Sequence, residues 1–233
     1  MVTGSTPPAG SQSQCAPEFA PLLRQFDRRS LDDHPGVVFG LWEDYRLAYV
    51  NAAWFRFAAE NGGEPAISSR WPLGSCVMDA VPADLQPYYR YLYALANVRN
   101  SRAAVPLCHE YACSSPETYR RFAMHVFVLP GMKGFLVMSS LLIERAHDPG
   151  AAVASPRPED YLDENGMYCQ CSHCRRFRRS ALPERWDWIP EWVRRQPART
   201  SHSLCRICFD YYYGNFPPLG RSQAPPGADP TEA

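Results

Sequence analysis

Lysine is almost absent from the sequence: Lys133 is the single lysine among 24 basic residues, and 24 acidic residues bring the formal net charge to zero. A chain with balanced charge has no overall field that would attract nucleic acid, membranes or acidic partners. The sequence also lacks an apolar run of about 18 to 20 residues that could cross a membrane, and residues 1–14 lack the apolar core of a signal peptide. These absences predict a cytoplasmic protein that does not bind membranes.

Motifs of the common enzyme classes are missing as well. The chain contains no Gly-rich phosphate-binding loop and no Gly-x-Ser-x-Gly, His-Glu-x-x-His or Cys/His nucleophile pattern. It carries nine cysteines, an odd number, and without a signal peptide we do not expect a disulfide framework. We therefore expect a protein that is not an enzyme, with cysteines that bind metal or remain free thiols.

What is present is sufficient for a folded core, because 45% of the 233 residues are hydrophobic and 13% are aromatic. Residues 1–16 and 217–233 are rich in small polar residues and proline, and we predict that they are disordered tails. The proline-containing segment 147–160 is predicted to be a linker. It divides the sequence into a domain over 17–146 and a small cysteine-rich module over 161–216.

Periodicity predicts the elements of the first domain. Asn51 is expected to cap a helix that ends at residues 61–63, and the longest helix is expected over 84–99. The predicted strands lie within residues 36–42, 46–50, 105–113, 119–129 and 134–143. Together with a short helix near 18–26, they predict an α+β domain with a five-stranded antiparallel sheet and helices on one face.

Three phrases of this domain resemble the bacterial PAS sensor family. They are "YVNAAWFRFAAENGG" at 49–63, "PLGSCVMDAVP" at 72–82, and the long stretch that begins "YACSSPETYRRFAMHVF" at 111. The likeness covers about residues 35–146 and follows the order of elements in that family. A PAS-like domain implies sensing, dimerisation or both, so the resemblance allows a homodimer formed through this domain.

The ligand of such a domain stays unknown. Haem is disfavoured because residues 84–99 contain no histidine that could be an axial ligand, and flavin is disfavoured because Cys76 lacks the neighbours of an Asn-Cys-Arg-Phe motif. We interpret His109 as a core or surface residue without a ligand. Met124 and Met138, with aromatic residues of the two helices, could line a pocket, although such residues more often form core.

Two cysteine pairs carry the strongest signal in the sequence. Cys171 and Cys174 form one Cys-x-x-Cys pair, and Cys205 and Cys208 form another after 30 intervening residues. Each pair has the spacing at which a tight turn presents two thiolates to one tetrahedral ion, with sulfur about 2.3 Å from zinc. We predict that the four thiolates hold one structural zinc ion, which leaves no open coordination position for catalysis.

Other ligands and other chemistry stay open. Cys169 and His202 are close enough in sequence to replace a thiolate, and His173 is expected to point outward between two ligands. An iron–sulfur cluster could use the same four thiols, and a redox dithiol is a further alternative.

The small module also resembles a cysteine-rich segment that follows PAS or receiver domains in some bacterial signalling proteins. The matching phrases are "CSHCRRFRR", "RWDWIPEWV" and "SHSLCRIC", in that order. So small a unit buries little surface, and a metal ion can supply about 10 kcal/mol of folding free energy. Its predicted apolar core consists of Trp186, Trp188, Ile189, Trp192 and Val193.

Arginine is concentrated in the same module, with nine arginines against four acidic residues within 169–216. Such a surface could contact phosphates, although charge runs are usually solvated. Our leading hypothesis is a cytoplasmic bacterial regulatory protein in signal transduction, with a PAS-like sensing or dimerisation domain and a zinc-stabilised module that binds a protein partner. The alternative is a transcriptional regulator that binds nucleic acid through the Arg-rich module, and a third reading is a redox switch in which oxidation releases zinc.

Overall fold

Two separate sheets organise the chain. A computed structural model describes residues 12–103, 105–147 and 153–214. A six-stranded antiparallel sheet, the large sheet, lies in residues 12–147, which we call the N-terminal region. A four-stranded sheet, the small sheet, lies in residues 158–214, which we call the cysteine-rich module. The structure is therefore of mixed α+β class, as the sequence predicts.

The N-terminal region alternates short helices with strands, and its elements are β1 Gln14–Cys15, a 3₁₀ helix Ala20–Leu23, α1 Arg28–Asp32, β2 Val38–Trp42, β3 Leu47–Val50, α2 Ala52–Glu60, α3 Ala66–Arg70, a 3₁₀ helix Val77–Ala80, α4 Gln86–Ala103, β4 Leu107–Ala112, β5 Thr118–Val128, a 3₁₀ helix Pro130–Met132 and β6 Gly134–Ala146. The order of strands across the large sheet is β1-β3-β2-β6-β5-β4. Every helix among the described residues is too short or too polar to span a bilayer.

The large sheet has six strands, one more than the five that the sequence predicts. Gln14–Cys15, at the end of the predicted tail 1–16, pairs with Val50 and Tyr49 and extends the sheet beyond β3. This pairing satisfies backbone groups that β3 would otherwise present at an open edge. Residues 1–11 and the predicted tail 217–233 lie outside the described residues.

Apolar layers cover both faces of the large sheet, whereas the sequence predicts helices on one face. On the first face, α2 and α4 pack residues such as Phe55 and Leu92 against Val126 and Val137. The second face is covered by the segment before β2. In this segment Phe19, Leu23 and Leu31 are buried. They pack with buried residues of the sheet and of the turn that follows β5, namely Val38, Ala48, Tyr49, Leu129 and Leu136.

The cysteine-rich module has its own elements, which are α5 Pro158–Tyr161, β7 Tyr168–Cys171, β8 Phe177–Arg178, β9 Trp186–Asp187, α6 Pro190–Arg194, β10 Thr200–Ser203 and α7 Arg206–Tyr213. The small sheet has the order β10-β7-β8-β9, with β10 parallel to β7. Its apolar core contains Tyr161, Phe177 and Ile189.

The predicted linker 147–160 is more ordered than the sequence indicates. Residues 148–152 lie outside the described residues, but the Ala154 N–H donates to the Trp188 carbonyl at 3.0 Å. The last residues of the segment, 158–160, belong to α5, and the next residue of that helix, Tyr161, is buried in the module and donates to Asp187 at 2.8 Å. The buried ring of Tyr161 therefore holds the end of the predicted linker against the module.

Candidate metal centre

Local structure brings the first cysteine pair together. Cys171 ends β7, and the chain turns back into β8, so that the Arg175 N–H donates to the Cys171 carbonyl at 3.0 Å. Arg175 completes this turn with a positive φ of 63°. The Cys171 N–H in turn donates to the Arg176 carbonyl at 2.8 Å. The turn therefore places Cys174 close to Cys171.

The second pair comes from the start of a helix. Cys205 is the N-cap residue of α7, and Cys208 lies in its first turn. Because β10 runs parallel to β7 with Ser203 opposite Cys171, the chain that follows β10 passes beside the first pair. The Cys205 N–H donates to Cys171 Sγ at 3.4 Å.

The structure brings all four predicted ligand atoms together. The Sγ atoms of Cys171, Cys174, Cys205 and Cys208 lie within 4.8 Å of one another, and those of Cys174 and Cys205 are 3.8 Å apart. Four sulfurs at 2.3 Å around one tetrahedral ion would be about 3.8 Å apart. The geometry of the cluster therefore fits a single metal ion.

The electrostatics of the cluster also favour a cation. Hydrogen bonds from the thiols of Cys174 and Cys205 lower the pKa of Cys171. The same hydrogen bond to Cys171 raises the pKa of Cys174. The four thiols thus titrate together, because like charges this close oppose the ionisation of all of them. A bound cation removes this opposition and allows all four thiolates to form.

Neither predicted substitute ligand belongs to the cluster. Cys169 is buried elsewhere on β7, where burial raises the pKa of its thiol. His202 is exposed on β10, and its Nε2 lies 3.1 Å from the Gln196 side-chain amide. Among the described residues, the four thiols are therefore the group that could hold a metal ion.

The prediction that His173 points outward is wrong. Its Nδ1 lies 3.2 Å from Cys208 Sγ, and its Nε2 accepts a hydrogen bond from the Ala112 N–H at 3.3 Å. The ring also packs edge to face on Tyr212, with centroids 4.8 Å apart. Sequence spacing could not indicate this position because Ala112 lies 61 residues away.

His109 is buried between the N-terminal region and the module, and the sequence does not predict this contact. It is 6% exposed, its Nδ1 lies 3.3 Å from Tyr88 Oη, and its Nε2 has no hydrogen-bond partner among the described residues. Burial, and secondly the charge of His173, lower the pKa of His109 to about 4. The ring is therefore neutral at neutral pH.

The predicted module core is partly correct. Ile189, Val193 and Trp188 are buried, while Trp192 is half-buried and packs on Tyr161 and Phe177. Trp186 instead packs against the cysteines. Sequence reasoning missed Tyr161, which directly follows the predicted linker, and Phe177, which lies between arginines.

Most arginines of the module are engaged within the chain. Six of the nine arginines in 169–216 donate to acidic side chains or backbone carbonyls: Arg175, Arg179, Arg185, Arg194, Arg199 and Arg206. Arg194, for example, forms an ion pair with Glu117 of the N-terminal region. Arginines held in this way are less available for phosphate groups.

An apolar cavity of about 340 Å³ lies beside α2 in the N-terminal region. It is lined by Trp54, Phe57, Phe39 and Tyr111 among others. The predicted pocket residues Met124 and Met138 lie elsewhere, Met124 in the core on the α4 side and Met138 on the opposite face.

Two similar proteins each match about half of this chain. No family model matches the sequence. An uncharacterised 104.1 kDa protein in the hypE 3′ region of Rhodobacter capsulatus is 30% identical over 122 residues, which is 51% of this chain and 12% of that protein. The matched part thus spans about an eighth of the relative's length.

Among solved structures, the PAS domain of an HTR-like protein from Haloarcula marismortui matches 48% of this chain and 91% of its own. The identity is 19% and the TM-score is 0.28. A TM-score this low carries no argument about the fold, so the PAS resemblance continues to depend on the phrases in the sequence.

Proposed function

We propose that this chain is a cytoplasmic bacterial regulatory protein that acts by binding, and that its four clustered cysteines hold one structural zinc ion. The observation that carries the metal site is the approach of four Sγ atoms to within 4.8 Å. All nine cysteines are free thiols, which suits a reducing compartment.

A single zinc ion fits the cluster better than an iron–sulfur cluster. In a multi-iron cluster the sulfurs bind different iron atoms, which lie apart from one another, so the sulfurs are spread around the cluster. Here each sulfur lies within 4.8 Å of every other. Zinc also has no redox chemistry, and four thiolates leave it no open position, which supports a structural role and not a catalytic one.

The N-terminal region is proposed to be a PAS-like sensing or dimerisation domain in signal transduction. The sequence phrases support this role, together with an antiparallel sheet that carries α2 and α4 on one face. Its cavity is lined mainly by aromatic and aliphatic side chains, with Asn61, Cys113 and Ser139 among the lining residues, and a small apolar ligand would suit such a pocket. A protein partner is preferred to nucleic acid because most of the module's arginines have partners within the chain.

Elemental analysis tests the metal site. The purified chain is expected to contain about one zinc ion, to lack visible absorption, and to lose zinc when Cys174 or Cys205 is replaced by serine. Cys169→Ser is the matched control because this cysteine is buried on β7 outside the cluster. Full zinc content in the Cys174→Ser and Cys205→Ser variants would refute the ligand set, and visible absorption with bound iron would refute zinc.

A titration with a nucleic-acid duplex at two salt concentrations tests the choice of partner. We expect no binding at low salt. Affinity that falls steeply with salt would instead support the transcriptional regulator, because phosphate contacts release counterions.

A further inference from the structure

The cysteine-rich module lies against an outer edge of the large sheet. β4 is the last strand of that sheet, and an edge strand presents backbone groups without a partner strand. Side chains of the module bind two of these groups. Tyr211 Oη donates to the Glu110 carbonyl at 2.6 Å, and the Ala112 N–H donates to His173 Nε2 at 3.3 Å. The module therefore takes the place of a neighbouring strand.

His173 contacts both this edge and the cysteine cluster. Because its Nε2 accepts from Ala112, the proton of the neutral ring lies on Nδ1, which donates to Cys208 Sγ at 3.2 Å. A hydrogen bond to a metal-bound ligand orients that ligand and adjusts its charge. One imidazole thus joins a backbone amide of the large sheet to a predicted metal ligand.

Helix α7 makes a second connection. Cys208 lies in its first turn and Tyr212 one turn later, so both side chains are on the same face. Tyr212 is 2% exposed, and its ring centroid is 4.7 Å from that of Tyr88 on α4. Because two of the four thiols lie at the start of α7, they position the tyrosine that docks the helix on the N-terminal region.

The turn that carries the first cysteine pair is held from the other side as well. Ser172 Oγ lies 2.9 Å from both carboxylate oxygens of Asp84, which precedes α4. Arg175 donates to the Ser114 carbonyl at 3.2 Å. Residues 172, 173 and 175 of one short turn therefore all contact the N-terminal region.

We propose that metal binding and docking of the module on the β4 edge are one coupled equilibrium, and that His173 is the positioning residue that couples them. The coupling rests on the proposed metal site. By linkage, metal favours docking, and docking raises the metal affinity by the same factor. Metal loss uncovers the edge of the large sheet, and an uncovered edge strand can accept another strand.

Amide hydrogen exchange of the full chain, with and without a chelator, measures the docking. The Ala112 amide bonds to His173, whereas the adjacent Cys113 amide donates to the Arg120 carbonyl inside the large sheet at 3.1 Å. We expect chelation to increase the exchange of Ala112 by about tenfold or more and to leave Cys113 protected. The two adjacent amides thus separate undocking from unfolding of the sheet.

Competition with a zinc-binding dye measures the reciprocal effect. His173→Asn keeps a donor near the position of Nδ1 but loses the acceptor for Ala112, and we expect it to weaken zinc binding by about tenfold or more. His202→Asn is the matched control, because His202 is exposed on β10 and contacts Gln196. Asp84→Ala, in the N-terminal region, is expected to weaken zinc binding by about fivefold or more although Asp84 is not a ligand.

The outcomes separate the two hypotheses. Absence of stoichiometric zinc in the unmodified chain refutes the metal site itself. The coupling alone is refuted if zinc binds but chelation leaves the exchange rate of the Ala112 amide unchanged. It is equally refuted if chelation increases the exchange rates of the Ala112 and Cys113 amides by the same factor. It is also refuted if His173→Asn and Asp84→Ala both bind zinc as the unmodified chain does.

Discussion

Asn51 shows how one side chain can fix several segments. It is fully buried at the start of α2, where its Oδ1 accepts from the Val38 N–H at 3.0 Å and from the Trp54 N–H at 3.3 Å. Its Nδ2 lies 2.9–3.3 Å from three carbonyls within residues 31–36. The predicted helix cap therefore also joins β2 to the segment that covers the second face of the sheet.

Replacement of Asn51 by alanine is expected to lower the free energy of unfolding by about 2–3 kcal/mol, because buried donors and acceptors lose their partners. Urea denaturation measures this change. Asn61→Ala is the matched control. Asn61 is exposed at the other end of α2, and its substitution is expected to cost less than about 1 kcal/mol. Equal losses in the two variants would contradict the role of Asn51.

At the scale of elements, the segment before β2 depends on a glycine in the sheet. Phe19 is fully buried over Gly40, where a Cβ would lie 2.3 Å from Phe19 Cε1. The ring also packs edge to face on Trp42, with centroids 4.8 Å apart. The missing side chain of Gly40 thus creates the space that the aromatic ring fills.

Gly40→Ala is expected to destabilise the chain by about 1–3 kcal/mol, because the added methyl group forces the Phe19 ring out of its position. In a Phe19→Leu background the same substitution should cost less, since the smaller side chain leaves room. A double-mutant cycle in urea gives this difference as an interaction energy. Strict additivity of the two substitutions would show that the ring does not occupy the space above Gly40.

Local patterns explain which elements the sequence predicts. Asn51 before an apolar periodic stretch is sufficient to predict the start of α2. The two Cys-x-x-Cys pairs are sufficient to predict the four residues of the cluster. Each of these signals lies within a few residues of sequence. The pairing of Cys15 with Tyr49 and the contact of His173 with Ala112 depend instead on chain distances of tens of residues. Periodicity carries no information about such contacts, so the sixth strand and the docked module could not be predicted.

On the scale of the whole molecule, His109 lies where the N-terminal region meets the module. Its ring is surrounded by Tyr88, Tyr89, Tyr211 and Tyr212, with His173 beyond them. Burial raises the pKa of Tyr88 to about 12 and raises that of Tyr211 as well, so these phenols stay neutral at neutral and acidic pH. The phenols around the ring therefore do not change charge as the pH falls.

The lowered pKa of His109 has a defined consequence for stability. The pKa is about 4 in the folded chain against an ordinary value of 6.5, so between these values the unfolded chain binds the additional proton. The stability that the neutral ring contributes is complete above about pH 6.5 and is lost as the pH falls toward 4. The free energy of undocking depends on pH in the same direction. Undocking exposes the ring, and because a solvated imidazole regains its ordinary pKa, falling pH favours the undocked state.

His109→Phe removes this titration and keeps an aromatic ring at the junction. Between about pH 7 and pH 5 the unmodified chain should lose about 1–2 kcal/mol more unfolding free energy than the variant. Urea denaturation of the zinc-loaded proteins at both pH values measures the difference. Protonation of the cysteine ligands weakens zinc binding in both proteins and cancels in the comparison. A parallel loss in the two proteins would show that His109 already has its ordinary pKa, and hence that the module does not shield it from water.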